Sequence, residues 1–229
     1  MTARFDISVV GAGPAGIAAA VTAAESGARV LLIDDNPSPG GQIWRNDREG
    51  DWLNRLAASN VHLETGTAAI DERILDKGAK LILATGAREL FLPFPGWTLP
   101  GVFTLGGSQV ALKAQGCAIG SRVVFAGSGP LLYLVAWQYM KAGVEVAAVL
   151  DAAPATAKLN LIRALPLDAG IVLRGLRFAA ELRLRGVALR SGVEGLRFEG
   201  EGRVSGVAWR EGGRERRLAC DGAGYGLAL

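Results

Sequence analysis

An α/β architecture is what this sequence predicts, from three observations. An apolar run of strand type at residues 5–10 feeds straight into Gly11-Ala12-Gly13-Pro14-Ala15-Gly16 and an alanine-rich helical run. A second strand-like run, residues 28–33, ends in the acid Asp34, about 20 residues past the motif. The same order returns later: residues 122–126, then Gly127-Ser128-Gly129-Pro130-Leu131-Leu132, a helical run to 142, and residues 144–150 closing on Asp151. Two Rossmann-like dinucleotide-binding units follow from this internal echo.

The first passage carries the stronger signal. Gly11 permits the tight turn off the strand, Gly13 lets a pyrophosphate come close to the backbone, and Gly16 lets helix and strand pack tightly. The helix, entered through Pro14 and Ala15, points its free N–H groups and positive dipole end at phosphates. An acid at position 34 accepts hydrogen bonds from a ribose. A lone G-x-G-x-x-G is weak evidence, but strand, helix, second strand and terminal acid all stand in order here.

Composition bounds the rest. The chain has 229 residues, half of them hydrophobic, with 32 glycines and a net charge of +3; this suits one large or two small domains with ample core. The basic excess lies in dispersed arginines of the last third, without the dense clustering and interleaved aromatics of a nucleic-acid surface. The first strand begins near Phe5, so no targeting segment is expected, and no apolar run of about 18 residues suggests a membrane span. Cys117 and Cys220 give neither a C-x-x-C pair nor zinc spacing, so structural thiols in a reduced, cytoplasmic protein are expected, with no metal.

Between the motifs, residues 35–45 form a proline- and glycine-rich loop in which Asp35, Gly41, Gln42 and Arg45 are candidate ligand contacts. Residues 51–58 have short helical character, and residues 61–65 alternate like a third strand carrying the single histidine, His62, read as structural. Ala68 follows that strand as a further candidate. Residues 79–84 read as a buried strand ending in Thr85 and Gly86, whose small size admits a cofactor. Residues 91–102, with three prolines, read as a crossing segment. Residues 106–116 are helical, and residues 173–217 suggest a small strand meander. In the second unit Gly127, Gly129, Pro130 and Asp151 are the candidate binding residues. Leu132 stands where a third small residue belongs and should push helix and strand apart.

Gly11–Gly16, Asp34, Gly41-Gln42 and Ala84-Thr85-Gly86 together resemble the two-dinucleotide-domain flavoproteins that include thioredoxin reductase and the pyridine-nucleotide–disulfide reductases. Residues 39–45, 84–89 and 92–102 resemble one branch of it: the flavin subunits of hydrogen cyanide synthase, opine oxidases and heteromeric proline and hydroxyproline dehydrogenases. The resemblance implies FAD in the first unit, with the second unit (105–217) inserted into an FAD domain made of 1–104 and 218–229. It allows an adenine nucleotide, NAD or ATP, in the second. It implies a hetero-oligomer in which a partner flavoprotein subunit oxidises a small amine or amino acid, and this subunit takes part in electron transfer. No catalytic acid or base is assigned. Alternatives are an NADH-dependent flavoprotein reductase and a non-catalytic nucleotide-binding scaffold; a dithiol–disulfide reductase would need paired cysteines. The spans 65–81 and 154–177 are shorter than relatives carry, and the chain stops before the Gly-Asp segment that reaches the flavin in relatives. Joined segments or a piece of a longer protein are therefore expected.

Overall fold

A computed structural model describes residues 5–44, 51–69, 78–87, 89–154, 156 and 169–227. The chain divides into two compact units, Met1–Arg88 and Glu89–Leu229.

The first unit is a four-stranded parallel sheet in the order β3-β2-β1-β4. Its strands are β1 (Phe5–Val10), β2 (Val30–Ile33), β3 (His62–Glu64) and β4 (Gly78–Leu83). Every residue of β2 is buried, the pattern of a strand covered on both faces. Helix α1 (Pro14–Glu25) is rich in alanine, the best helix former, and turns Gly16, Ile17, Ala20 and Val21 inward. Val9, Ile17, Val21, Val30 and Leu32 form the core with Leu56 of α2 (Asp51–Ala58). His62 is exposed and stacks on Phe5 at 5.4 Å, a surface role.

The second unit holds a five-stranded parallel sheet in the order β5-β12-β6-β7-β8. These strands are β5 (Val102–Thr104), β6 (Arg122–Ser128), β7 (Glu145–Asp151), β8 (Ala188–Ser191) and β12 (Gly222–Leu227). Side chains alternate across β6 with the two-residue period of a strand. Val123 and Phe125 join a core containing Leu132, Val135, Tyr139 and Leu182 of α4 (Pro130–Lys141) and α5 (Ala169–Leu184), and Leu105 of α3 (Leu105–Gln115). Val124 and Ala126 face the opposite core, which includes Phe198, Val207 and Trp209 of an antiparallel meander. The meander is β9 (Glu194–Glu199), β10 (Gly206–Glu211) and β11 (Arg214–Ala219), with β10 central.

Four sequence expectations change. The segment at residues 173–217 is a meander only from β9 onward; before it come α5 and the parallel strand β8. The α5 sequence hides its helix because Leu173, Leu176 and Leu184 are exposed and its arginines point to solvent, so the apolar face is thin. The boundary lies at 88/89 rather than 104/105, because β5 pairs with β12 in the second sheet. The segment expected to return to the first unit supplies that β12. Asp221 pins its start by accepting the N–H groups of Ser121 (3.0 Å) and Arg122 (2.8 Å), bonds that hold its carboxyl below the usual range. Cβ atoms at Gly224 and Gly226 would strike Phe125 and Leu105, at 2.6 and 2.9 Å, so these glycines fit this strand beneath its neighbours. Finally, Leu132 does not pry the second unit open. It lies fully buried inside the helix-side core.

Candidate functional site

The first glycine turn is held together by backbone. Gly11 has φ +101, and a Cβ there would lie 2.3 Å from the carbonyl oxygen of Ala84, so the adjacent end of β4 dictates this glycine. A Cβ on Gly16 would lie 1.7 Å from the Gly11 carbonyl oxygen; helix and turn meet too closely for any side chain. Gly13 is different. Its φ of −79 suits any residue, and the nearest atom to an added Cβ is the Gly41 Cα at 4.0 Å. The fold does not demand glycine there. Gly13 is the N-cap of α1 with no side-chain cap, and Pro14 follows it. The first-turn N–H groups therefore remain available to an anion.

Around this turn the structure gathers most of the predicted residues. Gly40 donates to the Ala12 carbonyl oxygen at 2.7 Å, and Gly41, at φ +57, packs its backbone on Gly13. Gln42 and Asp35 are exposed beside this loop, as is Ala15 at the start of α1. Thr85 and Gly86 are exposed just past the Ala84 that abuts Gly11. Asp34 is 7% exposed and its carboxylate accepts the N–H of Ala12 on one oxygen and, on the other, the backbone N–H and side-chain amide of Asn36, both at 2.7 Å. A carboxylate offers about four lone-pair sites, so one is left for a further donor. Sequence reasoning missed Asn36; the only signal was an Asn two residues past an acid, the spacing of an Asx-type turn. Ala68 is exposed, next to a Thr67 whose N–H bonds the Asp34 carbonyl oxygen. Arg45 lies outside the described residues.

The second turn shares the motif but not the geometry. Gly127 (φ +145) is again dictated by its neighbour strand, since a Cβ would meet the Gly226 carbonyl oxygen at 1.7 Å. Gly129 caps α4 at φ +89, ψ 176, a conformation open in practice only to glycine, and Pro130 begins the helix. The acid is engaged differently. Asp151 accepts the Tyr133 hydroxyl at 2.7 Å and the Ala153 N–H at 2.9 Å. Burial, then this bond, pushes the Tyr133 hydroxyl pKa well above the usual phenol range. Counting from the first glycine, Tyr133 occupies the position of Ile17 in the first unit, a signal the paired motifs contained.

Both thiols are free, Cys117 exposed and Cys220 buried, and burial raises the Cys220 pKa to about 11. No helix among the described residues is long and apolar enough to cross a membrane.

Residues 6–60 match the family model of the FAD dependent oxidoreductases. The chain is similar to an opine oxidase subunit of Agrobacterium tumefaciens, 38% identical across 78% of this chain and 43% of that protein. It is also similar to hydrogen cyanide synthase subunit HcnB of Pseudomonas protegens, 37% identical across 80% and 46% of the two chains. The chain thus spans about half the length of the curated relatives it matches. In fold it matches thioredoxin reductase of T. acidophilum with a TM-score of 0.69 at 19% identity, covering 99% of this chain and 77% of that one.

Proposed function

Because the chain belongs to the FAD-dependent oxidoreductases, in the branch that holds these opine oxidase and hydrogen cyanide synthase subunits, we propose that its first unit binds FAD. The observation that carries this reading is Gly13, a glycine that neither backbone conformation nor packing requires, at an uncapped helix N-terminus. The space a side chain would fill there suits a pyrophosphate. Gly11 and Gly16 shape the turn, the N–H groups of Ala15 and Gly16 face the anion, and the remaining lone pair of Asp34 accepts a ribose hydroxyl. Gly41 and Gln42 border the same turn, as do Thr85 and Gly86. FAD, when bound, supplies the hydride-accepting chemistry; the residues named here bind and orient it.

The whole protein acts as one subunit of a heteromeric cytoplasmic dehydrogenase or oxidase for an amino acid or opine-like secondary amine. Both named relatives are subunits, in keeping with this. A pyridine-nucleotide reductase is disfavoured, because Tyr133 lies on the acid of the second turn and Leu132 stands at its third small position.

The test is direct. Purified chain incubated with FAD and freed of excess by gel filtration retains the yellow flavin band, and folded Gly13→Val protein does not. Colourless wild-type protein, or a yellow variant, overturns the reading. NADH added anaerobically leaves the band unbleached; rapid bleaching would favour the reductase instead.

A further inference from the structure

The acid that ends β2 is short of free acceptors. Asp34 fills one carboxylate oxygen with the Asn36 backbone N–H and side-chain amide, and half of the other with the Ala12 N–H. A carboxylate offers about four lone-pair sites, so a single one remains. A ribose presents two neighbouring hydroxyls, each a donor. Asp34 alone satisfies only one of them, and the adenosine end of a dinucleotide bound at this turn needs a second acceptor.

Asn36 brings that acceptor into place. Its amide nitrogen donates to Asp34 at 2.7 Å and to Asp35 at 2.9 Å, so one nitrogen bridges two carboxylates. Only the nitrogen end of the amide can face them, since ionised carboxylates accept and do not donate. Two acids bonded to one nitrogen stand side by side, and among the described residues neither has a cation within ion-pair distance. The bridge is anchored through its backbone. The Asn36 carbonyl oxygen accepts the Gly66 N–H at 2.9 Å, and the Asp34 carbonyl oxygen accepts the Thr67 N–H at 2.9 Å. Asp35 is exposed, and its bond to Asn36 engages one oxygen only.

We infer that Asn36 is a positioning residue that makes Asp34 and Asp35 a two-acid clamp for a vicinal diol. One ribose hydroxyl donates to the vacant site of Asp34 and the other to Asp35; Asn36 itself touches no ligand. The inference rests on the reading of the first unit as an FAD site. It also narrows the ligand's chemistry, because two neighbouring carboxylates without a cation take neutral hydroxyl donors and repel a phosphorylated ribose.

FAD and its analogue with a 2′,3′-dideoxyadenosine half are the probes, titrated into the purified chain and followed by flavin fluorescence. Wild-type protein should bind FAD at least about tenfold more tightly than the analogue. Asn36→Ala and Asp35→Ala should each raise the FAD Kd about tenfold, the effect of one charge-assisted hydrogen bond. Both should leave the Kd of the analogue unchanged, since it carries no hydroxyl for the acids to hold. A merely structural role for Asn36 would weaken both ligands alike and overturn the inference, as would an unchanged FAD Kd in either variant. Asp35→Ala, at an exposed position, decides the matter if Asn36→Ala folds poorly. Wild-type protein that binds both ligands equally overturns the clamp and leaves the FAD reading standing. Wild-type protein that binds neither overturns that reading, and the clamp with it.

Discussion

The two glycine turns of this chain read alike as sequence and differ as structures. Their first glycines are equivalent: each sits at positive φ against the carbonyl of a neighbouring strand, Ala84 in one unit and Gly226 in the other. That glycine is a packing residue in both and says nothing about ligands. The second glycines part company. Gly129 is required by its backbone conformation, whereas Gly13 is required by nothing in the protein. The third positions diverge further, with Gly16 pressed on the Gly11 carbonyl and Leu132 filling the core. In the proposed reading, ligand capacity is carried by the glycine the fold could do without.

Exchanging the third positions should produce the largest effects. Gly16→Leu drives a side chain into the Gly11 carbonyl and should cost more than about 4 kcal/mol, unfolding the first unit. Leu132→Gly empties a fully buried site at a cost of about 2–5 kcal/mol, plus about 1 kcal/mol for glycine inside a helix, and gains no affinity for NADH. Denaturant titration followed by circular dichroism measures both. A well-folded Gly16→Leu protein, or NADH binding by Leu132→Gly, breaks the comparison.

The second glycines sharpen it. Gly13→Val loses about 1 kcal/mol, the cost of valine at an N-cap, and loses flavin; Gly129→Val loses about 1–3 kcal/mol, since a side chain is strained at that φ, and still binds flavin. Melting temperature and flavin stoichiometry, read on the same samples, separate the two.

The acids come next. Asp34→Ala should weaken FAD about tenfold, the scale of one charge-assisted hydrogen bond. Asp151→Ala should leave flavin affinity unchanged and cost about 1–3 kcal/mol by stranding the half-buried Tyr133 hydroxyl. Adding Tyr133→Phe to Asp151→Ala recovers part of that loss, which a denaturation midpoint will record.

The smallest effect is on pH. Glu181 of α5 accepts the Trp137 indole N–H and pairs with Arg177 and Lys141, in that order holding its carboxyl down to about 2. A lowered folded pKa stabilises above the unfolded value of 4.5, and the contribution fades as pH falls toward 2. Glu181→Gln should flatten the acid limb of the melting-temperature profile, with Trp137 fluorescence reporting on the second unit.

Much of the fold was legible because glycine turns, apolar strands and terminal acids recur at fixed spacing: the strand pairs β1–β2 and β6–β7 and helices α1 and α4 follow from residues 5–34 and 122–151. What escaped had thin local signals. Helix α5 exposes three leucines and an arginine-rich face, so its inward stripe is too narrow to set a helical period. The placement of residues 222–227 depends on which strands they join, which a glycine-alternating run does not state. The bond from Tyr133 to Asp151, 18 positions apart, left a single trace in the sequence, a tyrosine at the place that Ile17 holds in the first motif.

Strand β12 has a consequence for synthesis. It lies between β5 and β6 in space yet follows every other described element of its sheet in the chain. As the polypeptide emerges, β6 pairs with β7 on one side while its other edge waits, with unpaired amides, through α4, β7, α5, β8 and the whole meander. Pairings so distant in sequence form slowly, and an open edge invites association with another nascent chain. Alternate glycines make the late arrival sterically easy, since one face of the incoming strand carries no side chains. The second unit is thus a sheet completed by a late strand inserted between two earlier ones, and a chain cut before Gly222 would leave the slot between β5 and β6 open.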